Sequence, residues 1–195
     1  MSRWEPNARG RLAQAALELY RERGFDQTTV AEIAERAGLT ERTFFRYFAD
    51  KREVLFWGQS ALGEIYVKAI ADAPDSEAPV DMVAAALRAV VPVFHGRHEF
   101  SRQRQAVIAA NPELQERELL KRASLTSAMA EALRNRGVAE PTASLAAEIG
   151  TIAFSSAYAR WVSEPEEQDL SRLIRGSLDQ LTLVASGKPP GAWSI

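Results

Sequence analysis

The sequence has no cysteine, so disulfides and thiolate metal sites are excluded and a reducing compartment fits. Histidine is nearly as scarce. The two present, His95 and His98, stand three residues apart with Gly96 between them, and no third imidazole or well-placed carboxylate joins them. No metal is therefore expected. Long apolar runs are missing too: none reaches the length that spans a bilayer, and the opening Met-Ser-Arg-Trp-Glu-Pro has no apolar secretory segment. A cytoplasmic location with no membrane partner is expected. Glycine-rich phosphate loops, nucleophile elbows and zinc-protease helices are all lacking, so no catalytic residue and no cofactor is assigned and the chain does not read as an enzyme. Strand-like alternation and internal repeats are lacking as well.

What is present is a chain of 195 residues, 46% hydrophobic, enough to bury a core in one large or two small domains. Its net charge of −2 is unevenly distributed. Residues 1–52 carry ten Lys/Arg against eight Asp/Glu, whereas the remainder carries fourteen against eighteen. A local positive field near the N-terminus matters more for a polyanionic partner than the whole-chain sum.

That basic segment contains the most informative stretch, residues 29–51. Thr29 followed by Glu32 is a capping box, which satisfies orphan N–H groups at a helix start. Val30, Ile33, Ala34 and Ala37 recur at helical spacing, and Gly38 supplies a left-handed residue to stop the helix. Leu39 leads to Thr40, an N-cap for a second helix from Glu41 to about Phe48. Two short helices around a glycine turn form a helix-turn-helix. At 100° per residue, Phe44 and Phe48 share one face of the second helix while Arg42 and Arg46 lie opposite. Thr43 and Tyr47 flank the arginines on one side and Phe45 on the other. Such a helix suits a major groove, where arginine pairs with guanine edges and hydroxyls bind phosphates. Asp50 with Glu53 predicts a further capping box, placing Lys51 at the next helix start within reach of the DNA backbone.

Thr29-Val-Ala-Glu-Ile-Ala, Ala37-Gly-Leu-Thr40 and Thr43-Phe-Phe-Arg-Tyr-Phe-Ala-Asp-Lys51 resemble the DNA-binding signature of the tetracycline-repressor (TetR) family of bacterial regulators. The resemblance runs from about Arg9 to Phe56. It implies backbone contacts for Thr29, Thr43, Tyr47 and Lys51, base reading by Glu41 and Arg42, and phosphate contacts or plain solvation for Arg9 and Arg11. Together with Thr40, Phe45 and Arg46, these residues make up the expected DNA-contact set. One departure stands out: the family commonly has tyrosine where this chain has Phe45. A phenyl ring cannot donate to phosphate, so Phe45 is left to touch a thymine methyl or a sugar.

The rest of the chain reads as helical, giving an all-α fold. Asn7 or a neighbour should cap a first helix ending at Gly24, with Leu12, Ala16, Leu19 and Tyr20 inward and Phe25 beneath the unit. Trp4 precedes it in an arm whose lone Arg3 is little to place in a minor groove. A fourth helix is predicted from Lys51 to about Ala71, stopping in the Pro-rich residues 73–79. In the family it resembles, this helix transmits ligand binding to the DNA module. Further helices are expected from Val80 to about Phe94 with a break at Pro92, from Glu99 to Ala109, and from Asn111-Pro112 to about Arg136. Two more run from Pro141 to about Ser163 and from Pro165 to about Ala185. The domain reading is 1–50 for DNA, 51–187 for effector binding and dimerisation, and 188–195 as tail.

Two stripes suggest a two-fold partner. Leu145, Ile149, Ile152, Ala153, Ser156, Ala157 and Trp161 line one helix; Leu170, Leu173, Ile174, Leu178, Leu181 and Val184 line the next. Ile149, Ile152, Ser156, Trp161, Leu173, Leu178 and Leu181 are the expected interface of a four-helix bundle formed with a second copy. Their alternative use is inside the monomer. For a small-molecule effector, aromatics and cations around residues 94–104 suggest an anionic amphipathic or acyl-coenzyme-A-like compound, the latter from a loose likeness to one branch of the family. Its lining by residue type would be Trp57, Phe94, His98, Phe100, Arg104, Met129 and Phe154. The functional expectation is a ligand-responsive homodimeric repressor on a palindromic operator. An activator of the same fold, or a helical protein-interaction module, shares most of these features.

Overall fold

The computed structural model describes residues 7–186, and every regular element among them is helical. In chain order these are α1 (Ala8–Arg23), α2 (Val30–Arg36), α3 (Glu41–Tyr47), α4 (Gln59–Ala71), α5 (Pro79–Ala89), α6 (His98–Ala109), α7 (Pro112–Asn135), α8 (Thr142–Ser163) and α9 (Leu170–Ala185), with short 3-10 turns at Glu53–Leu55 and Val91–Phe94. The arm bearing Trp4 and the tail from Gly187 lie outside the described residues.

The chain divides into two compact units. The first runs to Gly58 and also takes in Phe100–Leu120; the second holds Gln59–Glu99 and the residues from Lys121 onward. In the first, α1 buries Leu12, Ala16, Leu19 and Tyr20 against Phe25, Ile33, Ala37, Phe44 and Phe48, as its helical stripe predicts. Val107, Ile108 and Leu114 of α6 and α7 complete this core. In the second, α4, α5, α7, α8 and α9 pack around Tyr66, Ile70, Val83, Leu87, Met129, Leu133, Trp161 and Ile174. Close approach of α5 and α8 requires a glycine: a Cβ on Gly150 would sit 2.3 Å from a methyl of Val83.

Several boundaries differ from expectation. Asn7 occupies the cap position of α1, but its backbone is left-handed and its side chain makes no cap hydrogen bond. The single helix predicted over 51–71 is interrupted: the 3-10 turn and Phe56–Gly58 intervene before α4 begins at Gln59. Val54, Leu55 and Phe56 are all buried in the core of the first unit. Pro165 does not open α9. Asp169 does, its carboxylate accepting from the N–H groups of Ser171 and Arg172, because a side-chain acceptor satisfies helix-start donors and proline cannot. Pro92 falls, as expected, at the end of the α5 segment, inside the Val91–Phe94 turn.

Candidate nucleic-acid interface

The predicted helix-turn-helix is built by its caps. Thr29 accepts from the Glu32 N–H, and the Glu32 carboxylate accepts from the Thr29 N–H at 2.8 Å, closing the capping box. Those Thr29 hydrogen bonds, with the Arg23 charge beside it, hold the Glu32 carboxyl below its ordinary value. At the other end of α2, Leu39 N–H reaches Ala34 O at 2.8 Å and Gly38 N–H reaches Glu35 O at 2.9 Å. This is a Schellman closure, and Gly38 adopts the positive φ of 65° that it needs. The Arg11 guanidinium adds a hydrogen bond to Ala37 O, so Arg11 caps a helix end. Thr40 then caps α3 by accepting from Thr43 N–H, and its hydroxyl also pairs with that of Thr43 at 3.0 Å.

On α3 the two faces separate as the periodicity requires. Phe44 and Phe48 are buried; Glu41, Arg42, Phe45 and Arg46 are exposed. Arg46 lies over the Tyr47 ring at 4.9 Å and donates to its hydroxyl at 3.2 Å. Arg9, from the first turn of α1, lies 5.5 Å from the same ring and 5.9 Å from that of Trp57. Two guanidiniums and a phenol therefore gather beside the exposed arginine face, an arrangement able to receive phosphate oxygens.

Lys51 has a second task. Its ammonium donates to the carbonyls of Phe25 (2.8 Å), Thr28 (3.0 Å) and Asp26 (3.3 Å), and sits 4.4 Å from the Phe25 ring. An ammonium has three donors, so these bonds tie the α1–α2 loop to the end of α3. Tyr20 joins this junction by donating to Lys51 O at 2.6 Å; burial, with the Asp50 charge, pushes its phenol well above the usual range.

After α3, an ionic network that sequence inspection missed holds the 50–56 turn. Asp50 accepts from the backbone N–H groups of Arg52 and Glu53, but the turn it precedes is 3-10 with Arg52 at its cap position, so the α-helical capping box predicted from Asp50 and Glu53 does not form. Burial raises its carboxyl, but the hydrogen bonds from Arg52 and Glu53 and the charges of Arg117 and Arg52 outweigh that and leave it below its ordinary value. Arg117 donates to Glu53 at 2.6 Å. Arg104 donates to Leu55 O at 2.6 Å and to Glu118 at 3.0 Å while covering Phe56 at 5.0 Å. No spacing signal links residues 49 or 64 positions apart, which is why Arg104 and Arg117 were not assigned this role.

The residues expected to line an effector site divide between the units: Trp57, Phe100 and Arg104 lie in the first, Phe94, His98, Met129 and Phe154 in the second. Arg104 is committed as above. His98 is buried, its Nε2 donating to Trp161 O at 2.7 Å, whereas His95 stands outside α6 beyond the positive-φ Gly96. Phe94 packs with Phe154, Tyr158 and Trp161 at ring separations of 5.7–5.9 Å. Of the expected dimer residues, Trp161 and Leu173 are buried within the monomer, so they are not available to a partner. Ile152 is 51% and Leu145 61% exposed, with Ser156 exposed and Ile149 half-buried on the same face of α8. Leu178 and Leu181 are half-buried on α9, and Val184 is exposed.

Two family models match this chain: bacterial regulatory proteins, tetR family, over residues 12–56, and the MftR C-terminal domain over residues 77–185. The HTH-type transcriptional regulator TcmR of Streptomyces glaucescens is 41% identical over 83 residues, 43% of this chain but 37% of TcmR. MftR of Mycobacterium tuberculosis, a transcriptional regulator named for mycofactocin biosynthesis, is 27% identical over 172 residues, 86% of each protein. Among solved structures, Thermus thermophilus FadR, a repressor in complex with lauroyl-CoA, is similar in fold: TM-score 0.51 at 24% identity, covering 96% of this chain and 98% of that one.

Proposed function

The chain belongs to the tetR family of bacterial regulatory proteins and is a DNA-binding regulator of transcription, and we propose that it is a homodimeric repressor of a palindromic operator, released by a small-molecule effector. The observation that carries the DNA reading is the division of α3, with Phe44 and Phe48 buried and Arg42 and Arg46 exposed on a helix capped at Thr40. In the proposed complex Arg42 and Glu41 face base edges, while Thr29, Thr43, Tyr47, Arg46 and Arg9 face phosphates.

Dimerisation is supported by exposed Leu145, Ile152 and Ser156 with half-buried Ile149 on α8, beside half-buried Leu178 and Leu181 and exposed Val184 on α9. A two-fold axis there would set two α3 helices at the spacing of operator half-sites. The effector is proposed to be an anionic amphipathic or acyl-coenzyme-A-like compound. FadR's lauroyl-CoA complex and the apolar core of the second unit support its acyl part. Such a ligand acts only through unequal affinity for the DNA-binding and released states.

Selection of random duplexes by the purified protein at a stated near-physiological salt concentration tests this reading. Recovery of a palindromic consensus is expected. Weak, salt-sensitive binding without any consensus would sink it.

A further inference from the structure

We propose that Phe45 reads a thymine in each operator half-site through the thymine 5-methyl group. The proposal rests on the DNA-binding reading above and deepens it. Phe45 is 56% exposed and is the one aromatic ring among the exposed large hydrophobic side chains of the described residues. It is also held in place: its ring meets fully buried Phe44 edge-on, with centroids 5.4 Å apart and an interplanar angle of 81°. A pre-set ring with two side-chain torsions loses little entropy on binding.

Phe45 has no donor or acceptor, so neither phosphate oxygens nor polar base edges suit it. The apolar object on a major-groove floor is the thymine methyl. Deoxyribose is the competing apolar surface, and the surroundings disfavour it. The hydroxyl flank of α3, with Thr43 and Tyr47, is the side fitted to the DNA backbone, and Phe45 occupies the other flank beside Arg42. Next to Phe45 lies a groove of roughly 390 Å³ whose walls include the carboxylates of Asp50 and Glu113. The cations there are committed: Lys51 to three backbone carbonyls, and Arg52 to Asp50 at 3.0 Å and Glu113 at 3.8 Å. The two cations of the lining are balanced by its two carboxylates, so the groove has no net positive charge to draw a phosphate to that flank, whereas a neutral methyl is accepted.

The experiment is a deoxyuridine scan of the selected operator with the full chain, since deoxyuridine pairs as thymine does but lacks the methyl. One thymine per half-site should be sensitive, with affinity falling about fourfold for one substitution and about fifteenfold for both, the loss of one buried methyl at each. Phe45→Ala should bind thymine and deoxyuridine operators equally. Absence of any methyl-sensitive thymine in the wild-type scan, which needs no variant, would overturn the proposal while leaving DNA recognition intact. An undiminished deoxyuridine penalty in Phe45→Ala would overturn it too, as would a loss in that variant spread evenly over all sequences, the mark of a sugar contact. Selection without a consensus would remove the operator reading itself, and this proposal with it.

Discussion

Arg42 and Lys51 carry the same charge nine residues apart, yet their surroundings assign them different work. Arg42 points outward from α3, and replacing it with alanine should relax preference at one operator position and cost about 1–3 kcal/mol there. Binding titrations against single-base operator variants check this; an even loss across all sequences would show a phosphate contact instead. Lys51 was expected to anchor phosphate, but its ammonium joins three carbonyls of the 25–28 loop. Lys51→Met should therefore destabilise the fold by about 1–3 kcal/mol, measured by denaturant unfolding, through loss of the ammonium's hydrogen bonds to that loop. It should leave the slope of log affinity against log salt unchanged; a slope smaller by about one would make Lys51 a phosphate ligand after all. The Arg42 face was legible because helical periodicity is local. The Lys51 partners were not, since they follow from how the α1–α2 loop folds back.

Among the elements, the caps were the most readable features and the breaks the least. Thr29→Ala removes half of a closed capping box and should cost about 1 kcal/mol of stability. Asp50, which accepts from two backbone N–H groups of the 50–56 turn, carries a pH signature. Its carboxyl is held below the ordinary value of 3.8, so its stabilisation is fully present above that ordinary value and is lost as pH falls through the lower folded one. Unfolding followed between pH 5 and 2 should show a component that Asp50→Asn abolishes; an identical acid slope in the variant would refute it. On α8, Gly150→Ala places a methyl against the stiff Val83 side chain and should destabilise the fold by about 1–3 kcal/mol. Full tolerance on thermal denaturation would show that α5 and α8 can part without cost. Nothing in the sequence around Gly150 marks it as a contact glycine, because its partner lies on another helix.

For the molecule as a whole, the proposed dimer depends on a surface the monomer does not bury. Ile152 is at the centre of the exposed α8 stripe, and Ile152→Arg should give a monomer by light scattering. Operator affinity should fall by about a hundredfold or more, because each recognition helix loses the effective concentration supplied by its twin. A variant that stays dimeric would move the interface elsewhere. Trp161→Ala is the informative contrast: Trp161 is 1% exposed and donates through its ring N–H to Gln168 O at 3.0 Å, so its loss should destabilise the monomer by about 3–5 kcal/mol and cause general unfolding.

Composition and period were enough to establish the all-helical class, the capped helix-turn-helix, the buried Phe44–Phe48 face and the exposed arginines, since each depends on residues within a turn or two of one another. Tertiary packing settled what depends on distant partners. It replaced the predicted helix after Asp50 with a 3-10 turn that buries Val54 and Leu55, it placed Arg104 and Arg117 on the 50–56 turn, and it withdrew Trp161 and Leu173 into the core. A helical stripe announces that a face will be covered. Which neighbour covers it is set by three-dimensional packing, and no local period records that.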